Sequence, residues 1–441
     1  MKNMNRRDFL RKSTKGVAGV AAGVAAIRTG WTGYSANDEI CMGVIGVGGR
    51  GRGHTKEWTR IKGVRVVALC DPDQRLLGPP ARGVREATGI RPRIYVDIRK
   101  MLKDNEVDAV SIATTNHWHS LATIWACQAL KDVYVEKPAS HNVFEGRKVI
   151  EAAKKYKRIV QVGSQGRSDP DVRKAIELMR EGAIGEVFMS RGLCYKKRNS
   201  IGIKKPTPPP KELDFDLWLG PAPVQPHHGN LVHYNWHWFW DFGNGDMGNQ
   251  GVHQMDIARW GLGKDYGYPV KVNSMGGRYG YKDQGETPNT QVCCFTYEDG
   301  KTLVFETRGR FTNSEGLEGE KGVKIGNLFY GSKGWLAIYG TGGPYDLYLG
   351  DKDKQPRQVG QGFDHFENFI DAVRKRDPSI LTAPVEEGVV SAGLCHLGNI
   401  AFRLGRTLTF DPRTETFPGD AEANKLLTRQ PRPPFVVPEN V

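Results

Sequence analysis

Gly46-Val47-Gly48-Gly49-Arg50-Gly51 carries the spacing G-x-G-x-x-G, and Asp71 stands twenty residues beyond Gly51. Alone, that pattern is weak. Here the apolar run Ile40–Ile45 reads as a buried strand before it, 52–61 reads as a helix after it, and a second strand over 64–69 leads to Asp71. This is the context in which such a loop cradles a dinucleotide. Gly46 permits the sharp turn, Gly48 lets the backbone approach a pyrophosphate, and Gly51 lets the helix pack on the strand. Gly49 and Arg50 open the helix, where N–H groups face phosphate oxygens. The Asp71 carboxylate accepts hydrogen bonds from the adenosine ribose and repels a 2′-phosphate. NAD is therefore expected over NADP, although Arg75, one turn on, leaves NADP open.

Strand-like and helical segments alternate onward: strands at 93–96, 109–113, 133–136 and 159–163, helices at 121–130 and 144–156. Alternation of this kind builds a doubly wound parallel sheet, whose ligands sit beyond the carboxyl ends of the strands. Candidate site residues follow from that rule: Thr114, Thr115, Asn116 and His119, then Glu136 and Lys137, then Gly163, Ser164 and Gln165. An ammonium such as Lys137 beside a bound cofactor can polarise a hydroxyl and shift the pKa of a neighbouring base.

The segment 227–241 is the most unusual of the chain, with His233, Tyr234, His237, Trp238 and Asp241 among further aromatic residues. It reads either as packed core or as a sugar platform, where indole faces stack on pyranose CH groups while His and Asp bind hydroxyls. His233 and His237 have i, i+4 spacing, but no accompanying glutamate or helical stripe supports a metal, and none is expected.

Composition bounds the rest. The chain has 441 residues, 39% hydrophobic and 25% charged, a balance that excludes global disorder. The net charge of +14 owes +6 to residues 1–36, and the remainder is scattered, so nucleic acid is not an expected partner. The 7 cysteines show no CxxC and read as core thiols. No stretch of 18 apolar residues exists, so no stable membrane span is expected apart from the signal. That signal is residues 1–36, where Arg6-Arg7 followed by Phe9-Leu10 and a short weakly apolar run resemble a twin-arginine segment. Such export carries proteins already folded to the periplasm or beyond, so a cofactor would have to be bound before leaving.

Residues 38–165 are read as the Rossmann domain and 166–410 as an α+β domain with a large, mostly antiparallel sheet. Its strands are expected at 270–278, 291–297, 302–308, 326–329, 335–339 and 347–349, with an Asp-Gly hairpin turn at Asp299-Gly300. Helices at 363–376 and 385–404 show 3.6-residue periodicity and are expected to pack back on the first domain. Residues 411–441 read as a tail that wraps the surface or a neighbouring subunit.

The fingerprint with Asp71, Thr114-Thr115-Asn116 with His119, Glu136-Lys137-Pro138, and Gly245–His253 with Asp256 together resemble the Gfo/Idh/MocA oxidoreductases. These are nicotinamide-dependent enzymes of sugars and polyols, and the resemblance spans nearly the whole chain after the signal. It implies that Lys137 reaches the nicotinamide ribose and a substrate hydroxyl, that His253 is a general base, and that the sheet face forms a dimer or tetramer. The family commonly has Asp four residues before that histidine; here Asn249 stands there, with Asp246 as a possible substitute carboxylate. An amide orients an imidazole but does not raise its basicity. Three functions remain: a sugar or polyol dehydrogenase with a tightly held NAD(P), a redox-neutral glycosidase or lyase using transient oxidation of a glycoside, and a non-catalytic sugar-binding protein.

Overall fold

In the computed structural model, which describes residues 39–263, 267–315 and 322–441, six parallel strands form the first sheet. They are β1 (Ile40–Ile45), β2 (Val64–Cys70), β3 (Arg93–Tyr95), β4 (Ala109–Ile112), β5 (Asp132–Val135) and β6 (Val160–Val162), in the order 3-2-1-4-5-6. Every residue of β1, β4, β5 and β6 is buried, as expected where helices cover both faces of a parallel sheet. The order reverses between β1 and β4, and the crevice at that switch point faces the Gly-rich loop. The twin-arginine segment lies outside the described residues.

The second sheet has nine strands, continuing with β7 (Val187–Cys194), β8 (Lys271–Gly277), β9 (Thr290–Thr296), β10 (Thr302–Arg308), β11 (Ile325–Gly331), β12 (Gly334–Tyr339), β13 (Tyr345–Leu349), β14 (Asp353–Gln355) and β15 (Leu408–Thr409). Their order is 14-13-12-11-7-10-9-8-15, and β7 pairs with β10 in parallel while the other pairs are antiparallel. The Asp299-Gly300 hairpin forms as its sequence predicts: Tyr297 N–H donates to Lys301 O at 2.9 Å, and Gly300 takes φ +82°.

Two late helices pack on the Rossmann half, and the second also reaches the core of the other sheet. His365–Lys375, capped by Asp364, places Phe366 and Phe369 against Trp58 and Tyr134 of the Rossmann half. Val385–Leu404 buries Val385 and Val389 in the first core and Leu394 and Leu397 in the second, then ends at left-handed Gly405. The tail folds over its own chain: Phe435 packs edge-on against Trp118, with ring centres 5.5 Å apart, and Arg432 pairs with Asp216.

Candidate active site

A cavity of about 480 Å³ runs along the carboxyl ends of the parallel strands. Gly46, Gly48, Gly49, Arg50, Asp71, Thr114, Asn116, His119, Glu136, Lys137 and Gln165 line one side; His233, Tyr234, His237, Asn249 and His253 line the other. Residues far apart in the chain thus meet at one place.

The Gly-rich loop has the shape its spacing predicts. Gly46 sits at φ +79°, and a Cβ there would lie 2.7 Å from Ala113 O. Gly51 is outside the cavity; its added Cβ would fall 1.7 Å from Gly46 O, so it is the residue that lets helix and strand touch. A Cβ at Gly49 would meet nothing within 4 Å, and one at Gly48 only Leu76 at 3.7 Å. The helix Gly49–Arg60 begins there with no side-chain cap and no acid in its first turn. That open cradle of N–H groups fits a pyrophosphate.

Asp71 lines the cavity where a ribose would lie, and it also holds the loop. Its Oδ2 accepts Val47 N–H at 2.9 Å and its Oδ1 accepts Asp73 N–H at 2.9 Å. Burial pushes its pKa up to about 6 against those two donors. Arg75 is engaged elsewhere: its Nε donates to Asp73 Oδ1 at 2.8 Å, and Nη2 pairs with the same carboxylate. The geometry therefore favours NAD. Asp71→Ala is expected to weaken NAD binding about tenfold to a hundredfold, through loss of an ionic acceptor, and to narrow the preference over NADP. Calorimetric titration with both nucleotides checks this; unchanged NAD affinity would remove the assignment.

Glu136 is the hub beneath the reacting end. Its Oε1 accepts Arg50 Nε at 2.7 Å, His54 Nε2 at 3.0 Å and Gln165 Nε2 at 3.2 Å, while Oε2 accepts Lys137 N–H at 3.2 Å. Burial alone would raise its pKa; the His54 hydrogen bond and the Arg50 charge hold it well below the usual carboxylate value. A Cβ at Gly163 would approach Glu136 Cδ to 2.8 Å, so the glycine leaves room for the carboxylate.

Lys137 Nζ donates to Asn249 O at 2.6 Å. Asn249 lies in a π-helical turn, Met247–Gly251, that runs into the helix Val252–Gly261 bearing His253. Such turns interrupt the normal i, i−4 pairing and recur at functional sites. Burial pushes the Lys137 ammonium down, partly countered by Glu136. Burial, then the Lys137 charge, push His253 down to about 3, so its imidazole is neutral at physiological pH. His119 is fixed between Pro138 O at 2.7 Å and Thr114 O at 3.1 Å, and burial lowers its pKa.

Three expected substrate residues, Asp246, Trp238 and Asp241, do not reach the cavity. Asp246 is buried in an ion pair with Arg198, whose Nε donates to Oδ2 at 2.9 Å, so it cannot replace the carboxylate missing at Asn249. Asp256 is likewise taken, by Arg167 at 2.9 Å. Trp238 packs beneath the Arg198 guanidinium, 5.1 Å from its ring centre. Asp241 is exposed and accepts from Gln225 Nε2 at 3.0 Å. Alternation of aromatic residues gave no signal for which of them face inward.

The aromatic segment divides between two tasks. Trp236, Phe239 and Phe242 join a small core with Trp218, of which Trp218 and Trp236 also reach the cavity, while Tyr234 and His237 project along its wall. His237 stacks on Trp236 at 3.6 Å between ring centres, and burial pushes its pKa down to about 3. His233 has a structural partner, donating from Nε2 to Asp73 Oδ2 at 2.7 Å. Residues 212–238 thereby form a strap across the cavity. It is held also by Gln74 N–H on Glu212 O at 3.0 Å and by Trp118 Nε1–H on Leu217 O at 3.1 Å. Sequence reading missed the cavity-lining Trp118, Leu217, Trp218 and Trp236, and missed His54. A histidine three residues past Gly51, on the inward face of the helix, was the available signal for the last.

Comparison with known proteins agrees with this architecture. Residues 40–164 match the family model described as oxidoreductase family, NAD-binding Rossmann fold, and residues 187–336 and 344–437 match the one described as oxidoreductase family, C-terminal alpha/beta domain. An inositol 2-dehydrogenase of Rubrobacter xylanophilus is 32% identical over 158 residues, 35% of this chain and 44% of that one. A glycosyl hydrolase family 109 protein of Saccharopolyspora erythraea is 27% identical over 209 residues, 43% of this chain and 45% of that one. The matched stretch thus spans somewhat under half the length of these curated relatives. The crystal structure of aldose-aldose oxidoreductase from Caulobacter crescentus superposes with a TM-score of 0.63 at 20% identity, over 84% of this chain and 100% of that one. That likeness shows the shared fold.

Proposed function

Because the chain belongs to the Gfo/Idh/MocA family of oxidoreductases, we propose that it oxidises a carbinol of a sugar or polyol with a tightly held NAD. The observation that carries this reading is the meeting of Lys137, Asn249 and His253 at one end of a cavity whose other end is the Gly-rich cradle and Asp71. Bound NAD would be held by Gly46, Gly48, Gly49 and Asp71, and its nicotinamide supplies the hydride-accepting carbon. Lys137 places its ammonium on the substrate oxygen and polarises it. His253, neutral, takes the hydroxyl proton, and the cationic Lys137 nearby favours the developing alkoxide. Asn249 orients through its backbone carbonyl, which fixes Lys137. Tyr234 and His237 provide the wall on which a sugar ring rests.

A second reading is supported by the strap. A cofactor enclosed under residues 212–238 suits a cycle in which the hydride is taken and returned to one glycoside, with the aglycone eliminated between. The resemblance to a glycosyl hydrolase family 109 protein points the same way. The twin-arginine reading of residues 1–36 supports export to the periplasm with the cofactor already bound. A homo-oligomer, dimer or tetramer, would use the outer face of the second sheet. Met275 and Val292 are cross-strand partners there, and Met275 is 66% exposed.

The test is to purify the full chain from the periplasm, denature it and identify the released nucleotide by mass spectrometry. The native protein is then offered aldoses, inositols and aryl glycosides. NAD released, with nicotinamide reduction on an aldose or inositol, supports the dehydrogenase; aglycone release without net reduction supports the cycling reading. Neither nucleotide nor turnover would sink both.

A further inference from the structure

We propose that His54, a residue without access to the cavity, is the anchor that positions Lys137, acting through Glu136. The inference rests on the role given to Lys137 above. His54 is completely buried, one turn into the helix Gly49–Arg60. Its Nε2 lies 3.0 Å from Glu136 Oε1 and its Nδ1 lies 2.9 Å from Ser111 Oγ. A carboxylate held ionised only accepts, so Nε2 carries a proton and donates to Glu136, while Nδ1 is hydrogen-bonded to the Ser111 hydroxyl. Tyr134 and Phe366 close on the ring edge-to-face, each with its centre 5.3 Å away, and fix its plane. The result is a line of hydrogen bonds from β4 through the helix to the end of β5.

Glu136 has three side-chain donors, and they differ in kind. Arg50 and Gln165 both line the cavity, and the Arg50 side chain is 53% exposed. An anionic occupant at the Gly-rich loop competes with Glu136 for the Arg50 guanidinium. His54 is sealed from any occupant. It is therefore the donor that keeps Glu136 Oε1 in place whether the cavity is filled or empty. With Oε1 fixed, Oε2 remains on the Lys137 N–H at 3.2 Å, and the lysine backbone is set so that Nζ reaches Asn249 O at 2.6 Å. His54 is thus a positioning residue, and it acts at two hydrogen bonds' remove from Lys137.

The experiment compares His54→Leu, which removes the donor, with His54→Gln, whose amide N–H can still reach Glu136. With NAD and whichever sugar, inositol or aryl glycoside of the panel turns over, His54→Leu should lower kcat about tenfold or more while KM changes by less than about twofold. His54→Gln should recover most of the loss. Independently of turnover, ¹H–¹⁵N spectra of the histidine-labelled protein should show one imidazole with its proton on Nε2 and hydrogen-bonded, absent from His54→Gln. Wild-type kcat in the leucine variant, an equal loss in both variants, or an Nδ1–H tautomer for His54 would overturn the proposal. Failure of the underlying reaction is distinguishable, because it shows as undiminished turnover in Lys137→Ala, whereas the tautomer is read in protein that need not turn over at all.

Discussion

Lys137→Ala and His253→Ala should each lower kcat by about 10²–10⁴-fold, the usual worth of general acid–base assistance, while NAD remains bound. The reason lies in where the two side chains stand. Both line the cavity beside the π-helical turn, at the end away from Asp71, and neither supports the Gly-rich loop. Lys137 is held at its tip by Asn249 O, and His253 is kept neutral by burial and by the Lys137 charge. Removing the lysine should therefore also let the His253 pKa rise from about 3 toward its ordinary value. In that variant, protonation of His253 begins at a higher pH, and residual turnover should fall on acidification earlier than in the wild type. Because the two residues serve one proton transfer, the double variant should lose less than the product of the single losses. Stopped-flow turnover with quantified bound nucleotide checks all three statements. If both alanine variants turn over as the wild type does, the site assignment fails.

The Rossmann half was legible because its rules are local. Ile40–Ile45, the glycines and Asp71 fall within about thirty residues, and each is constrained by backbone geometry that sequence spacing reports directly. The strand-end rule then found Thr114, Asn116, His119, Glu136, Lys137 and Gln165 without any knowledge of their partners. The second half was legible as strands but not as an arrangement. The parallel pairing of β7 with β10 joins segments about a hundred residues apart, and no periodicity encodes that. Polar residues failed for a related reason. Asp246 carries the right chemistry for a substrate site, yet it is buried and consumed by a partner remote in sequence, Arg198. A side chain's type gives what it can bind; only the fold decides whether that capacity is already taken.

The same logic governs the largest stability effect expected. Glu387, in the first turn of the helix Val385–Leu404, is buried, and its Oε2 accepts Arg167 Nη2 at 2.8 Å together with Arg259 Nη2. Asp256 accepts the other edge of Arg167 at 2.9 Å and the Ser391 hydroxyl at 2.7 Å. Two guanidiniums and two carboxylates are thus matched in the interior, with burial penalising each charge separately. Glu387→Ala removes one of the two carboxylates set against Arg167 and Arg259 and should cost about 3–5 kcal/mol, the usual cost of breaking a buried ion pair from one side. Glu387→Gln keeps an acceptor but not the charge, so it should fall between the wild type and the alanine variant. Urea unfolding midpoints measure the order; an alanine variant as stable as the wild type would show that the network contributes nothing net. The consequence reaches the site. Asp256 and Arg259 lie on the same helix as His253, so the network clamps the element that presents the imidazole to the cavity. Conditions that leave Glu387→Ala folded should therefore still reveal reduced turnover, because loosening that helix moves His253 relative to Lys137, and a displacement of about 1 Å between reacting groups can cost about a hundredfold in rate.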